Sequence, residues 1–401
     1  MKSKALLVIS NGHGEDEVAV RILIALKQLQ PALNIQALSL VGVGHAYQHQ
    51  GIPLLVKGQA LPSGGFLGRS LGRDLQRGLW HLMQRQITAV AQWSQSEGVI
   101  MAVGDIVPLL FATWSGCPFA FVGTAKSEYW RTNHGRLSLR QSIYWPWERG
   151  LMAQARCRGV FPRDQITATH LQRWPIPVFD CGNPMMDDLE PTKESSLDSL
   201  PPGLKILLLP GSHVPEVFAN WQVMVRAIAT LLQNPQIYIF IGAISPGIEL
   251  DPLQRTLVHQ GWGPVTASLP TYQYGQHRLL LVPDGFREGL HYADMVVAMA
   301  GTATEQAVGL GKPVITLPGK GPQFTPKFAA TQARLLGRSI YRLTDPQALS
   351  ATVSTLQAML PDPQHWIDNG RRRMGTPGAA LRIAHCLQTY LLDVAENPPC
   401  S

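Results

Sequence analysis

The sequence predicts an α/β chain of two doubly wound, Rossmann-like domains. Three observations carry this reading: short apolar runs alternate with amphipathic helical stretches, a strand, loop and helix unit opens each half, and 401 residues of 45% hydrophobic content suffice for two cores. Alternation of this kind belongs to a parallel sheet covered on both faces.

Ala5 to Ile9 reads as a buried strand, and Val18, Ile22, Ala25, Leu26 and Leu29 line one face of a helix over Val18 to Gln30. The pattern recurs as a strand at Gly98 to Val103, a helix at Val107 to Trp114 and a strand at Pro118 to Gly123, with Gly159 to Pro162 and Val178 to Cys181 as further short strands. Residues 1–188 form the first domain, and the Pro-, Ser- and charge-rich stretch 189–203 is a linker. The second domain, 204–374, restarts with a strand at Lys205 to Leu209, a loop Pro210-Gly-Ser-His213 and a helix at Val214 to Leu232, with Pro215 in its first turn. Ile237 to Gly242, Arg278 to Val282, Met295 to Ala298 and Pro313 to Leu317 continue the strands; Gly301 to Gly311 and Phe328 to Leu336 read as helices. In the tail 375–401, a helix from Gly375 to Val394 returns to the first domain. The expected result is two domains facing a cleft, with ligands at the carboxyl ends of the strands.

Composition narrows the function. No apolar run approaches the roughly 20 residues of a membrane span, and Ala5 to Ile9 is shorter than the roughly 7 to 15 residues of a signal-peptide core. Five cysteines without a CxxC pair suggest neither a zinc site nor a disulfide framework, which fits a reducing cytoplasm. The net charge of +7 calls for an anionic partner. Without a zinc-finger pattern, a lysine-rich tail or an RNP-like motif, that partner is not expected to be nucleic acid.

The candidate chemistry sits at strand ends. Pro210-Gly211-Ser212-His213 precedes a helix and suits a diphosphate, or is a tight turn alone. In Gly301-Thr302-Ala303-Thr304-Glu305-Gln306, hydroxyls, a carboxylate and an amide suit a ribose, or Thr302 and Glu305 form a capping box. Gly12, His13, Gly14, Glu15 and Asp16 offer glycines for close substrate approach and a general base, or carboxylates favouring a helix start. Asp105 ends the strand before Ile106-Val-Pro108, as a base or as an N-cap. Between Gly64 and Trp93, leucines at Leu67, Leu71, Leu75 and Leu79 and arginines at Arg69, Arg73 and Arg77 describe a basic amphipathic helix, with Trp80 beside the apolar stripe. Such a helix lies on an anionic membrane or packs on the sheet.

In this order the motifs resemble the lipid-A-disaccharide synthase family, with looser similarity to the transferase that adds GlcNAc to the peptidoglycan lipid precursor. The resemblance rests on Leu208-Leu-Pro-Gly-Ser-His-Val-Pro-Glu216, Gly301-Thr-Ala-Thr-Glu-Gln-Ala-Val-Gly-Leu-Gly-Lys-Pro313, Cys181-Gly-Asn-Pro-Met-Met-Asp-Asp-Leu189 and Gly14-Glu-Asp. Three positions depart from it: His213 stands where the family has Arg, Gln306 where it has a ribose-binding Glu, and Asp105-Ile-Val-Pro108 lacks a second carboxylate. The resemblance implies a GT-B fold and inverting transfer from a UDP-sugar to a lipid-linked or amphiphilic acceptor, peripherally on the inner face of the cytoplasmic membrane. It implies no cofactor and no metal, helix N-termini stabilising the leaving diphosphate. It assigns Gly211, Ser212 and His213 to the diphosphate, Gly301, Thr302, Thr304, Glu305 and Gln306 to the nucleotide, and Gln323 to the donor sugar. Asp105 is the first choice of base, His13 and Glu15 the second; Gly12, Gly14, Leu71, Arg73, Leu75, Arg77, Leu79 and Trp80 serve the acceptor or the membrane. A UDP-sugar epimerase or hydrolase, or a catalytically silent binding relative, is the alternative.

Overall fold

The computed structural model describes residues 5–56, 58, 79–94, 98–131, 142–191, 197–319 and 326–393. It divides into two compact units, 1–187 with 376–401, and 188–375.

The first unit runs β1 (Ala5–Ser10), α1 (His13–Leu29), β2 (Ile35–Ser39), α2 (His45–His49), α3 (Leu79–Trp93), β3 (Gly98–Gly104), α4 (Ile106–Trp114), β4 (Phe119–Gly123), α5 (Pro146–Met152), β5 (Cys157–Pro162) and α6 (Gln165–Leu171). Its parallel sheet has the order β2-β1-β3-β4-β5. The chain leaves β1 toward β2 and then crosses to β3 on the other side, so the direction of winding reverses between β1 and β3. Strands such as Leu6–Ile9 and Val99–Val103 are buried on both faces, which is why they read as continuous apolar runs rather than alternating ones.

The second unit runs β6 (Leu204–Leu209), α7 (Glu216–Ile228), β7 (Tyr238–Ile244), α8 (Asp251–His259), β8 (Gly263–Val265), β9 (Thr271–Tyr274), β10 (His277–Pro283), α9 (Phe286–Tyr292), β11 (Met295–Ala298), α10 (Thr302–Gly309), β12 (Val314–Thr316), α11 (Pro326–Leu336), β13 (Ile340–Arg342), α12 (Leu349–Met359) and α13 (Gln364–Met374). The sheet order is β13-β12-β11-β6-β7-β10-β9-β8, and winding reverses between β6 and β11. The β8 and β9 edge is antiparallel, a departure from the purely parallel sheet expected; the short turn Gly275-Gln276 allows β9 to fold directly onto β10, so no crossover helix is needed.

The last helix, α14 (Ala379–Leu387), and the π turn Gln388–Leu392 belong to the first unit. Ala380, Ile383, Ala384 and Leu387 join the core containing Val18, Ile22 and Leu26. The helix starts at Ala379, later than the expected Gly375, because Gly375 and Gly378 both take positive φ (79° and 89°). Val178 to Cys181 forms no strand; Val178 makes one isolated bridge to Val160.

Candidate functional site

In the first unit the loops after β1 and β3 meet where the winding reverses, the place at which doubly wound sheets bind ligands. Gly12 precedes α1, and Glu15 and Asp16 occupy its first turn. Asp105 directly follows β3 and does cap α4, its Oδ1 accepting from Val107 N at 2.8 Å. Its N-cap and strand-end positions therefore coincide. Gly104, at φ 135°, brings the two loops together: a Cβ there would stand 3.1 Å from Asn11 Cβ and 3.3 Å from Glu15 Cγ. Around Gly14, in the first turn of α1, a Cβ would meet no described atom within 4 Å.

Burial raises the Glu15 pKa, and the carboxylates of Asp105 and Asp16 add to the rise; a backbone hydrogen bond and Thr124, whose Oγ1 donates to Oε1 at 3.4 Å, oppose it. Burial also raises Asp105, against the Val107 N–H and the positive charge of Lys126. Lys126, beyond the end of β4, bonds both oxygens of the buried Glu148 at 2.5 and 2.7 Å. Nothing local in the sequence marks Lys126, because its role comes from β4 lying beside β3.

Asp16 is buried to 1% exposure, and Ser10 Oγ donates to it at 2.5 Å and Ser39 Oγ at 2.9 Å. Burial pushes its pKa to about 6, with the two hydroxyls opposing.

In the second unit the two motif loops follow the neighbouring strands β6 and β11, again at the reversal. Gly211 takes φ 97°, and a Cβ there would stand 3.2 Å from Met299 O, so the loops touch. Asn220 Nδ2, from the second turn of α7, donates to Pro210 O at 2.9 Å and ties the first loop to its helix. Ser212 and His213 are exposed, with Ser212 Oγ 3.4 Å from His213 Nδ1. Each loop leads into a helix, the first into α7 and the second into α10.

The Thr302 capping box is not formed: the N-cap of α10 is Gly301, without a side-chain cap, because the chain enters the helix one residue earlier. Thr302 is exposed and Glu305 half-buried; Thr304 and Gln306 are buried. Thr304 Oγ1 donates to Ala300 O at 2.7 Å, and Gln332 Nε2 reaches the same oxygen at 3.3 Å. A Cβ on Gly301 would meet no described atom within 4 Å, leaving room beside the loop.

Gln323, Leu71, Arg73, Leu75 and Arg77 lie outside the described residues, as do the side chains of His13, Leu79 and Trp80. The described part of the basic amphipathic stretch, α3, packs Leu82, Gln86, Val90 and Trp93 inward. Among the described residues, no helix is long and apolar enough to cross a membrane, and no group of three or more His, Cys, Asp or Glu could hold a metal ion.

No family model matches the sequence, and no curated protein matches it as a relative. Solved structures do. MurG from Acinetobacter baumannii superposes with a TM-score of 0.57 at 13% identity, over 96% of this chain and 99% of that one. The glycotransferase of kitacinnamycin gives 0.58 at 14% identity, over 98% and 100%. UDP-GlcNAc 2-epimerase from Neisseria meningitidis, bound to UDP-GlcNAc, gives 0.54 at 14% identity, over 96% and 100%. The fold is thus of GT-B type. At these identities the likeness concerns the fold alone.

Proposed function

We propose that this chain is a metal-independent, inverting glycosyltransferase that moves a sugar from a UDP-sugar to a lipid-linked or amphiphilic acceptor, in the manner of lipid-A-disaccharide synthase. The observation that carries the reading is the division of chemistry between the two reversals of winding. Carboxylates gather at one, and two glycine-bearing loops, in contact at Gly211 and open beside Gly301, at the other. Fold neighbours that act on UDP-sugars support the donor class.

In this reading, Gly211, Ser212 and His213 receive the diphosphate, and Gly301, Thr302 and Glu305 the nucleoside. Gln323 is assigned to the donor sugar by the sequence resemblance. Thr304 and Gln306, being buried, shape the loop from beneath. Asp105 takes the proton of the acceptor hydroxyl as its oxygen attacks the anomeric carbon. The C–O bond to UDP breaks, and loop N–H groups hold the departing charge. Glu15, coupled to Asp105, is the second carboxyl of the site. Asp105→Asn is expected to lower transfer by about 10²–10⁴-fold, the usual worth of a general base, while UDP affinity stays within twofold. An active Asn variant removes Asp105 from the role.

UDP release is measured against a panel of UDP-sugars, with and without a total lipid extract. Lipid-dependent release with one donor establishes the transferase. The epimerase or hydrolase reading is favoured by the 2-epimerase neighbours and by the paired carboxyls, which could act without an acceptor. UDP release or donor epimerisation without lipid would select it; UDP binding without turnover would identify a silent relative, which the His213 and Gln306 departures motivate. Peripheral attachment to the inner face of the cytoplasmic membrane is supported by the leucine and arginine spacing and the charge of +7. Leu71→Asp with Leu79→Asp should then abolish co-sedimentation with anionic liposomes, and unchanged binding refutes attachment through that helix.

A further inference from the structure

The proposed chemistry leaves a buried polar network beneath the first reversal of winding unexplained. Asp16 lies in the first turn of α1, beside Glu15 in sequence, and its carboxylate is met by hydroxyls from two strands: Ser10 at the end of β1 and Ser39 at the end of β2. Tyr47 of α2, fully buried, has its OH 2.6 Å from Ser10 Oγ. Because Ser10 spends its one proton on Asp16, Tyr47 must donate to Ser10. Ser39 Oγ also lies 3.1 Å from Val41 O, but its shorter contact is to Asp16. The proton directions are therefore determined: Tyr47 to Ser10 to Asp16, and Ser39 to Asp16.

Such an arrangement is costly. A carboxylate held out of water by neutral hydroxyls loses hydration that apolar packing would not have required. What the network does is join β1, β2, α1 and α2 at one point, directly behind the turn that carries Glu15. Glu15, the residue before Asp16 in the same turn, has its Cγ against Gly104 and its Oε1 accepting from Thr124 Oγ1.

We propose that Ser10, Asp16, Ser39 and Tyr47 form a positioning network that aims the Glu15 carboxyl at Asp105, with Asp16 as its centre. The proposal rests on the reading of Glu15 and Asp105 as the carboxyls of the reaction. The titratable groups facing Asp16 are Glu15 and Glu17 on its own helix and Tyr47 on α2, with Asp105 beyond Glu15.

The test uses Asp16→Asn and Tyr47→Phe in the full chain. Its readouts are the carbon-13 titration of the Glu15 side chain, kcat and KM for the donor, UDP affinity and the melting temperature. With Asp16→Asn the Glu15 midpoint should move to lower pH, since a neighbouring negative charge is gone. Loss of aim should lower kcat by about tenfold or more, as misplacement of reacting groups does, with donor KM and UDP affinity unchanged. A folded Asp16→Asn protein whose Glu15 titration and kcat match the wild type overturns the proposal, whatever its melting temperature. Should Asp16→Asn not fold, Tyr47→Phe decides: it keeps ring volume and both serine donors, and a few-fold fall in kcat with a displaced Glu15 titration is expected. Unchanged values there overturn the proposal equally. If the wild type turns over no UDP-sugar, the proposed function fails, whereas the Glu15 titration still decides whether Asp16 governs that carboxyl.

Discussion

Lys126 shows how one side chain can set the working range of another. Its ammonium is held by Glu148, which is buried and also accepts from Trp145 N at 2.7 Å. Its charge opposes the burial that raises the Asp105 pKa. Replacing Lys126 by Met removes that opposition, so the Asp105 pKa rises further and the ionised base is populated only at higher pH. The acid limb of the kcat/KM profile should therefore move to higher pH, activity being lost first at the acid end, while UDP affinity is unchanged. Stability should fall by roughly 1–3 kcal/mol, because Glu148 stays buried with both of its hydrogen bonds from the Lys126 ammonium gone. Denaturant unfolding and a pH profile check the two effects separately. A profile that does not move would dissociate Lys126 from Asp105 and leave it a purely structural ion.

At the scale of elements, the loop between β6 and α7 depends on a backbone conformation that side chains resist. Gly211 at φ 97° lies against Met299 O, so Gly211→Ala meets both left-handed strain and a contact of 3.2 Å. UDP affinity should fall at least about tenfold, on the order of the 1–3 kcal/mol that such strain costs, with little change in the titration of Glu15. Calorimetric binding of UDP checks this, and wild-type affinity in the Ala variant would exclude close approach of a ligand to this loop. This loop was legible in the sequence because the signal is local: an apolar run, a glycine and a helix start. The same holds for β1, β6 and β11, whose continuous apolar runs mark doubly covered strands. The β2 strand Ile35–Ser39 and the β8–β9 edge escaped notice because they are short and carry polar or glycine and proline residues. Val178 to Cys181 differs in the opposite direction: it reads as a strand, but Phe179 packs against Phe161 of β5 and Tyr390 of the π turn, and the segment makes one isolated bridge rather than a ladder. In the site, the reversal loops were legible, but Ser10, Ser39 and Tyr47 were not, since they come together only through the sheet order.

At the scale of the molecule, the core of the first unit is completed by the chain's last described helix, far from α1 in sequence. The attachment is specific. Asp187, where the chain leaves the unit, accepts from Gly378 N and Ala380 N at 2.6 Å each and from Ala379 N at 3.2 Å, meeting the first turn of α14 where it returns. Arg382 donates to Cys181 O at 3.0 Å and to Pro377 O and Thr376 O at 3.0 and 3.1 Å, binding the exit and return segments together. A carboxylate at a helix N-terminus also meets the positive end of the helix dipole. Asp187→Ala should therefore cost about 2–3 kcal/mol, the scale of charged hydrogen bonds left unmade in a buried place. Hydrogen exchange locates the damage: α14 and the face of α1 beneath it should lose protection first, because Ile383 and Leu387 can no longer be held over Val18 and Ile22. Amides of β6 and β11 should exchange as in the wild type, and UDP affinity should be unchanged, since the loops assigned to UDP belong to the second unit. Uniform loss of protection across both units would instead mean that Asp187 supports the folding of the whole chain rather than the seating of its final helix.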